Sequence, residues 1–386
     1  MARAKVKAKK NIVVTASDLA KKYPGSGVAA KIVLPKENLI WIPSRCIPLN
    51  YAMGGGVPYG HILENFGEES SGKTLSALDF GYVTQTLGGE IIYNDGEQSF
   101  TADWAEKNGL DLGRIHLYNQ TSVEYVSDWV ADTALSIRSR LKSNEPILFI
   151  QDSLAALDCE ANINSASIDA KAEMGNRAKA IYKMLRIRNQ MFADLGITCI
   201  FINQLRKKVG AGMFEDPDTT PGGAAMKFYA HQRVGFYAGK QITNGSKTNK
   251  ERWGVEVSIR LKKNKVAPPR PTFKADIYFN PESGKPIGFD RYAGLFDVLL
   301  QTETLTRSGS SIYLGDTKIA SSEDRFYEKI EDDEELRGKL IRRSGINTIS
   351  KTRKLLENQT KNLYPVTMAK VERQSATKEE MEDDDE

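Results

Sequence analysis

Eight residues, Gly67-Glu-Glu-Ser-Ser-Gly-Lys-Thr74, have the types and spacing to hold a nucleotide phosphate. The pattern is Gly, four residues, Gly, Lys, then Ser or Thr. Glycines allow a tight loop whose backbone N–H groups face inward at a helix N-terminus, where an anion is favoured. Lys73 is placed to reach the β- and γ-phosphates, and the Thr74 hydroxyl to sit on Mg²⁺. Gly67, Glu68, Glu69, Ser70, Ser71, Gly72, Lys73 and Thr74 are therefore candidates for binding ATP.

Further polar residues stand at the ends of apolar runs. Asp152 closes the run Ile147–Ile150, the position of a Mg²⁺-supporting acid in such enzymes. Glu97 follows Glu90-Ile-Ile-Tyr-Asn94 and is placed to orient and deprotonate an attacking water. Asn203-Gln204 ends another run; an amide there can report a γ-phosphate to the loop that follows. That loop is basic at Arg206, Lys207 and Lys208, then rich in glycine up to Gly222-Gly223. It is either a grip on phosphate backbones or a plain excursion of the chain. Lys263 and Lys265 flank Asn264 and precede Ala267-Pro-Pro; alone they read equally as a solvated basic turn or as a cationic pair pointing one way.

The elements that must position these residues alternate. His61–Phe66 reads as a strand, and the helix after the loop places Leu75, Leu78, Tyr82 and Val83 on one face. Strands are expected at 90–94, 115–118, 146–151 and 197–202, with helices over 100–108, 123–142 and 171–195. Strands spaced by helices of this length predict an α/β fold with a mostly parallel sheet flanked by helices. Arg233–Tyr237, Val255–Leu261 and Phe273–Phe279 read as strands of an antiparallel extension. Beyond residue 290 a small α+β unit is expected, and residues 11–23 read as an amphipathic helix. The expected organisation is a basic, helical N-terminal segment (1–36), a nucleotide-binding core (37–285), a small C-terminal domain (286–365) and a disordered acidic tail (366–386).

Composition bounds the partners. The chain of 386 residues is long enough for roughly two to three domains. Its net charge is only +4, yet Met1–Lys10 holds five bases and Glu379–Glu386 is acidic except for Met381. A basic head and an acidic tail suit either a polyanion partner with an internal competitor, or two solvated ends. Three scattered cysteines and three distant histidines give no metal-ligand spacing and suit a reducing compartment. No apolar run has the length of a secretory signal or a membrane span, so the expectation is a soluble, cytoplasmic protein with no membrane partner.

Several of these stretches together carry a family resemblance. Gly67–Thr74, Gln151-Asp-Ser-Leu-Ala-Ala-Leu157, Phe201-Ile-Asn-Gln-Leu-Arg206, Thr219-Thr-Pro-Gly-Gly-Ala-Ala-Met-Lys-Phe-Tyr-Ala230 and Lys262-Lys-Asn-Lys-Val-Ala-Pro268 resemble the RecA recombinases of bacteria and phages. Their order and approximate spacing match over about residues 50 to 300. The acidic tail is similar as well, whereas 159–173 and the chain beyond about 300 match poorly.

The resemblance implies a DNA-dependent ATPase that forms helical filaments of its own copies on single-stranded DNA and exchanges strands with double-stranded DNA. Glu97 matches the family's catalytic glutamate and Gln204 its γ-phosphate-sensing glutamine. Lys263 and Lys265 match two lysines that reach into a neighbouring protomer's ATP, beside Lys73 as the in-subunit cation. Met174, Gly175, Lys179 and Arg186 fall at the first DNA loop, and Arg206, Lys208, Val209, Gly222 and Gly223 at the second. Trp104 stands for the tyrosine that stacks on adenine, Thr101 for the acid that reads its amino group, and Glu68 for a proline. A ring-shaped motor of the same fold would not need the Lys263–Lys265 pair. A nucleotide-switched scaffold filament would hydrolyse ATP only incidentally.

Overall fold

Between residues 61 and 202 the β-branched and aromatic runs are too apolar to face water on either side, and they become the middle of a sheet. In this computed structural model the described residues are 39–142, 144–165, 175–207, 218–222, 224–244, 251–268 and 272–358. The helix expected over 11–23, the segment 1–36 and the acidic tail lie outside them. The described residues from Ile40 onward belong to one compact unit.

The described chain enters through β1 (Trp41–Ile42), α1 (Ile47–Met53) and β2 (Val57–Pro58). Then come β3 (Ile62–Gly67), α2 (Lys73–Thr86), β4 (Glu90–Asp95), α3 (Ala102–Lys107), β5 (Ile115–Tyr118), α4 (Val123–Arg140) and β6 (Ile147–Asp152). After α5 (Glu160–Ile163) follow α6 (Asn176–Leu195), β7 (Ile197–Gln204), β8 (Arg206–Lys207), β9 (Asp218–Thr219) and α7 (Ala225–Tyr229). The long strands β10 (Gln232–Asn244) and β11 (Glu251–Asn264) lead to β12 (Phe273–Tyr278) and β13 (Gly288–Phe289). The chain continues through α8 (Leu295–Gln301), β14 (Thr306–Ser308), β15 (Ser311–Leu314), β16 (Thr317–Ala320), α9 (Glu323–Asp332), α10 (Glu334–Ser344) and α11 (Ile349–Asn358).

Among the described residues the main sheet has nine strands, in the order β13-β12-β11-β10-β3-β7-β6-β4-β5. From β10 to β5 every pairing is parallel; from β10 to β13 every pairing is antiparallel. The expected parallel sheet with an antiparallel extension is therefore present. Alternation along β6 feeds both faces: Leu148 and Ile150 join Leu78 and Phe80, while Ile147 and Phe149 join Val126, Met184 and Phe201. Fully burying each such side chain is worth roughly 1.5–3 kcal/mol.

The α2 helix departs from the expected single apolar face. Leu75, Leu78 and Val83 are buried, but so are Ser76, Asp79, Phe80, Thr84 and Gln85, while Tyr82 is only half-buried. Besides the main sheet, β1 of the separate two-stranded sheet also packs on this helix. The buried Asp79 carboxylate has its partners there: it accepts from Ser44 Oγ at 2.6 Å and from Arg45 Nε at 2.5 Å. The small three-stranded sheet β14–β16 and helices α8 to α10 enclose a further apolar cluster around Leu299, Ile312, Phe326 and Leu340. The last helix then returns to the main core. Leu356 is buried in it, and Thr352 Oγ1 donates to Trp41 O at 3.3 Å.

Candidate nucleotide site and nucleic-acid interface

Parallel strands end together, so β3, β4, β6 and β7 deliver their last residues to one edge, where open α/β sheets bind ligands. The loop Gly67–Gly72 sits there. Gly67 is required by close approach: a Cβ would lie 2.2 Å from Phe236 O. Gly72 is required twice over, by φ +90° and by Ile277 Cδ1, which would stand 2.3 Å from any Cβ. The Glu68 carbonyl gathers the loop, accepting from Ser71 Oγ at 2.7 Å and from the Lys73 ammonium. Burial lowers the Lys73 pKa, against the pull of Asp152, Glu97, Glu69 and Glu68.

Asp152 comes to this loop from β6. Its Oδ2 accepts from Thr74 Oγ1 at 2.9 Å and from Tyr93 Oη at 2.8 Å. Burial raises its pKa to about 6, opposed by those two hydrogen bonds. The peptide Asp152–Ser153 is cis. Among the described residues no cluster of three or more His, Cys, Asp or Glu has metal-holding geometry. A hydroxyl beside one carboxylate fits Mg²⁺ held partly by substrate phosphates, rather than in an all-protein cage.

Glu97 lies in the turn after β4. Asp95 organises that turn by accepting from the N–H groups of Ser99 at 3.0 Å and Phe100 at 2.8 Å. The Glu97 carboxylate accepts from Ser153 Oγ and, at 3.4 Å, from Gln204 Nε2. Glu97 and Gln204, from strands far apart in sequence, thus meet at one point. Beside the loop is a cleft of about 350 Å³, lined by Ser70, Lys73, Thr74, Trp104, Arg252 and Phe279 among others. Trp104 thus forms part of its wall. Thr101 is the exposed N-cap of α3 and makes no side-chain cap bond. A larger cleft of about 580 Å³, lined by Glu256, Asp276, Tyr278, Tyr327 and Glu331, holds none of the phosphate-loop residues.

Lys263 lies inside β11 and Lys265 one residue beyond it. Lys263 Nζ donates to the carbonyls of Lys227 at 2.7 Å and Phe228 at 3.2 Å, at the end of α7. Partial burial and the neighbouring Lys265 bring its pKa down to about 8. Neither lysine is hydrogen-bonded to Lys73, Thr74, Asp152 or Glu97 of its own chain.

Gly175 caps α6, and Lys179 and Arg186 are exposed along it. Arg206 is exposed in β8, which pairs with β9 to close the base of the second loop. Gly222 is buried at φ +90° against Leu154 and Ile181. Met174, Lys208, Val209 and Gly223 lie outside the described residues.

A buried network ties this loop to the sheet. Asn203 Nδ2 donates to Glu64 Oε1 at 2.9 Å and to Pro221 O at 3.0 Å. Glu64 also accepts from Arg233 Nε, and Arg233 lies over the Phe66 ring at 5.0 Å. Sequence reasoning missed Glu64, Arg233, Tyr93, Ser153, Arg252 and Phe279. Only Ser153, next to Asp152, carried a local signal.

Comparison with known proteins identifies the family. The family model of the RecA N-terminal domain matches residues 10–283. Curated relatives carry the name Protein RecA. The one from Porphyromonas gingivalis is 34% identical over 302 residues, covering 78% of this chain and 83% of its own. Those from Acholeplasma laidlawii and Bacteroides thetaiotaomicron are 32% and 34% identical, each covering 78% of this chain and 85% of their own. With strand-end residues, phosphate loop and sequence in accord over most of its length, the chain belongs to the RecA family.

Proposed function

We propose that the protein is an ATP-dependent recombinase that assembles on single-stranded DNA as a helical filament and pairs it with homologous duplex. The observation that carries this reading is the junction of Glu97 with Gln204 beside Lys73, Thr74 and Asp152. One group placed to activate water and one placed to sense a phosphate touch each other. Hydrolysis and the loop that starts at Arg206 then share a switch.

In this reading the loop N–H groups and Lys73 hold the ATP phosphates, and Trp104 stacks on the base. Mg²⁺ would be held by Thr74 and Asp152 and would neutralise phosphate charge. Glu97, steadied by Ser153, takes a proton from the attacking water. Gln204 follows the γ-phosphate and passes its presence down Arg206 toward the DNA loop. Lys263 and Lys265 supply positive charge to the site of the neighbouring protomer. Met174, Gly175, Lys179, Arg186, Arg206, Lys208, Val209, Gly222 and Gly223 form the DNA-binding set. The domains follow the boundaries 1–36, 37–285, 286–365 and 366–386, and the protein acts in the cytoplasm.

Strand exchange between homologous DNAs, run with and without ATP and imaged for filaments, tests the proposal. ATP-dependent exchange with filaments is expected. Rings with unwinding activity, or filaments with negligible turnover, would replace it with a motor or a scaffold.

A further inference from the structure

The α6 helix carries Arg177, Lys179, Lys183, Arg186 and Arg188 against a single acid, Asp194. Two of these bases are engaged. Arg177 Nη1 donates to Ala155 O at 3.4 Å, and Arg188 Nη2 pairs with Asp128 at 2.5 Å. Lys179, Lys183 and Arg186 are exposed, at the spacing of one helix face. Ile181, Met184 and Leu185 point the other way, into the core. Among the described residues no ion pair involves the three exposed bases.

Tyr182 stands within this basic face and is 41% exposed. Its ring lies 5.4 Å from that of Tyr229 at the end of α7, close to edge-on. Tyr229 in turn lies 5.0 Å from Phe228. Aromatic surface left in water among cations that pair with no carboxylate of the described residues calls for a partner that is both flat and anionic. A protein partner would bring carboxylates but no regular array of flat faces. A nucleic-acid single strand brings a phosphate and a π-face with every residue.

We propose that Tyr182, braced by Tyr229, is a stacking platform for a base of single-stranded DNA, with Lys179, Lys183 and Arg186 taking the adjacent phosphates. This rests on the DNA-binding reading above and adds to it a base contact. Stacking tolerates any sequence, because every base has a π-face, but it requires a base to be present.

The test uses the full chain with a slowly hydrolysed ATP analogue and fluorescence anisotropy. Two labelled strands of equal length are compared, oligo(dT) and an abasic strand with the same phosphates. Tyr182→Leu should weaken oligo(dT) binding between about fivefold and a hundredfold, the range for one lost stack. It should leave the abasic strand nearly unchanged and the salt slope intact. Tyr182→Phe should bind like the native chain. Lys183→Ala should weaken both strands and lower the salt slope by about one unit. The inference is overturned if Tyr182→Leu binds oligo(dT) normally, or loses both strands equally. It is also overturned if that variant fails to self-associate without DNA, which would place Tyr182 between protein copies. A native chain that binds neither strand would remove the DNA-binding reading itself.

Discussion

Arg233→Met should destabilise the protein strongly, because it strips a buried carboxylate of its cation. Glu64 is fully buried in β3, between β10 and β7. Its carboxylate has two side-chain partners, Arg233 Nε and Asn203 Nδ2. The Arg233 side chain is 12% exposed, so water cannot take its place at the carboxylate. Removing one member of a buried ion pair costs about 3–5 kcal/mol, because the remaining charge stays desolvated. Replacing both members by apolar residues is often close to neutral. Glu64→Leu alone should therefore cost a similar amount, and the double variant no more than about 2 kcal/mol. The singles then sum to at least about 6 kcal/mol, leaving a coupling of at least about 4 kcal/mol. Urea midpoints for the four proteins, without nucleotide or DNA, give this cycle directly. Single costs under about 1 kcal/mol, or a double cost equal to the sum of the singles, would refute the reasoning.

Lys73→Ala should lose productive ATP binding, read by nucleotide fluorescence and by turnover on single-stranded DNA; normal turnover would dismiss the phosphate-loop assignment. Glu97→Gln should still bind ATP while turnover falls by about 10²–10⁴, and filaments should outlast those of the native chain in imaging. Mixing Lys73→Ala protein with a Lys263→Ala/Lys265→Ala protein should restore part of the activity that each lacks, since some interfaces pair an intact loop with intact lysines. Mixed filaments with no activity at any ratio would return the lysines to their own subunit. The last expectation concerns pH. Burial, His61, Lys265 and Lys263 depress the His231 pKa from 6.5 to about 4, so the unfolded chain binds its proton first and stability falls as pH drops from 6.5 toward 4. Asp152, raised to about 6, contributes with the opposite sign over much of that window. Comparing native protein with His231→Asn cancels the aspartate, and the variant's urea midpoint should fall less between about pH 7 and pH 5. Parallel curves would exclude His231 as a source of acid sensitivity.

What could be read along the chain, and what could not, follows from how local each feature is. The phosphate loop is a strand, a turn and a helix in sequence, so residues 61–83 carry its whole signal. Asp152 and Gln204 were legible because each closes a β-rich run, and parallel strands bring such ends to one edge. Glu64 reads as an oddity within an apolar strand until its partner is known. That partner arrives from β10, after β4, β5, β6 and β7 of the main sheet and the helices between them. Arg233 lies directly opposite Glu64 in the β10–β3 ladder, yet the two are 169 residues apart. Tyr93 reaches Asp152 for the same reason, through the parallel register of β4 and β6. Lys263 carries this furthest. Its spacing with Lys265 suggests a free cationic pair, whereas its ammonium is engaged by the last carbonyls of α7. That helix follows directly from the loop begun at Arg206. If Lys263 serves a neighbour's nucleotide, it must first leave those carbonyls, so any force that moves the loop also acts on the helix end that holds the lysine. In the proposed reading, coupling between DNA and hydrolysis would then need no long chain of contacts, because Lys263 meets the end of the short helix that follows the loop.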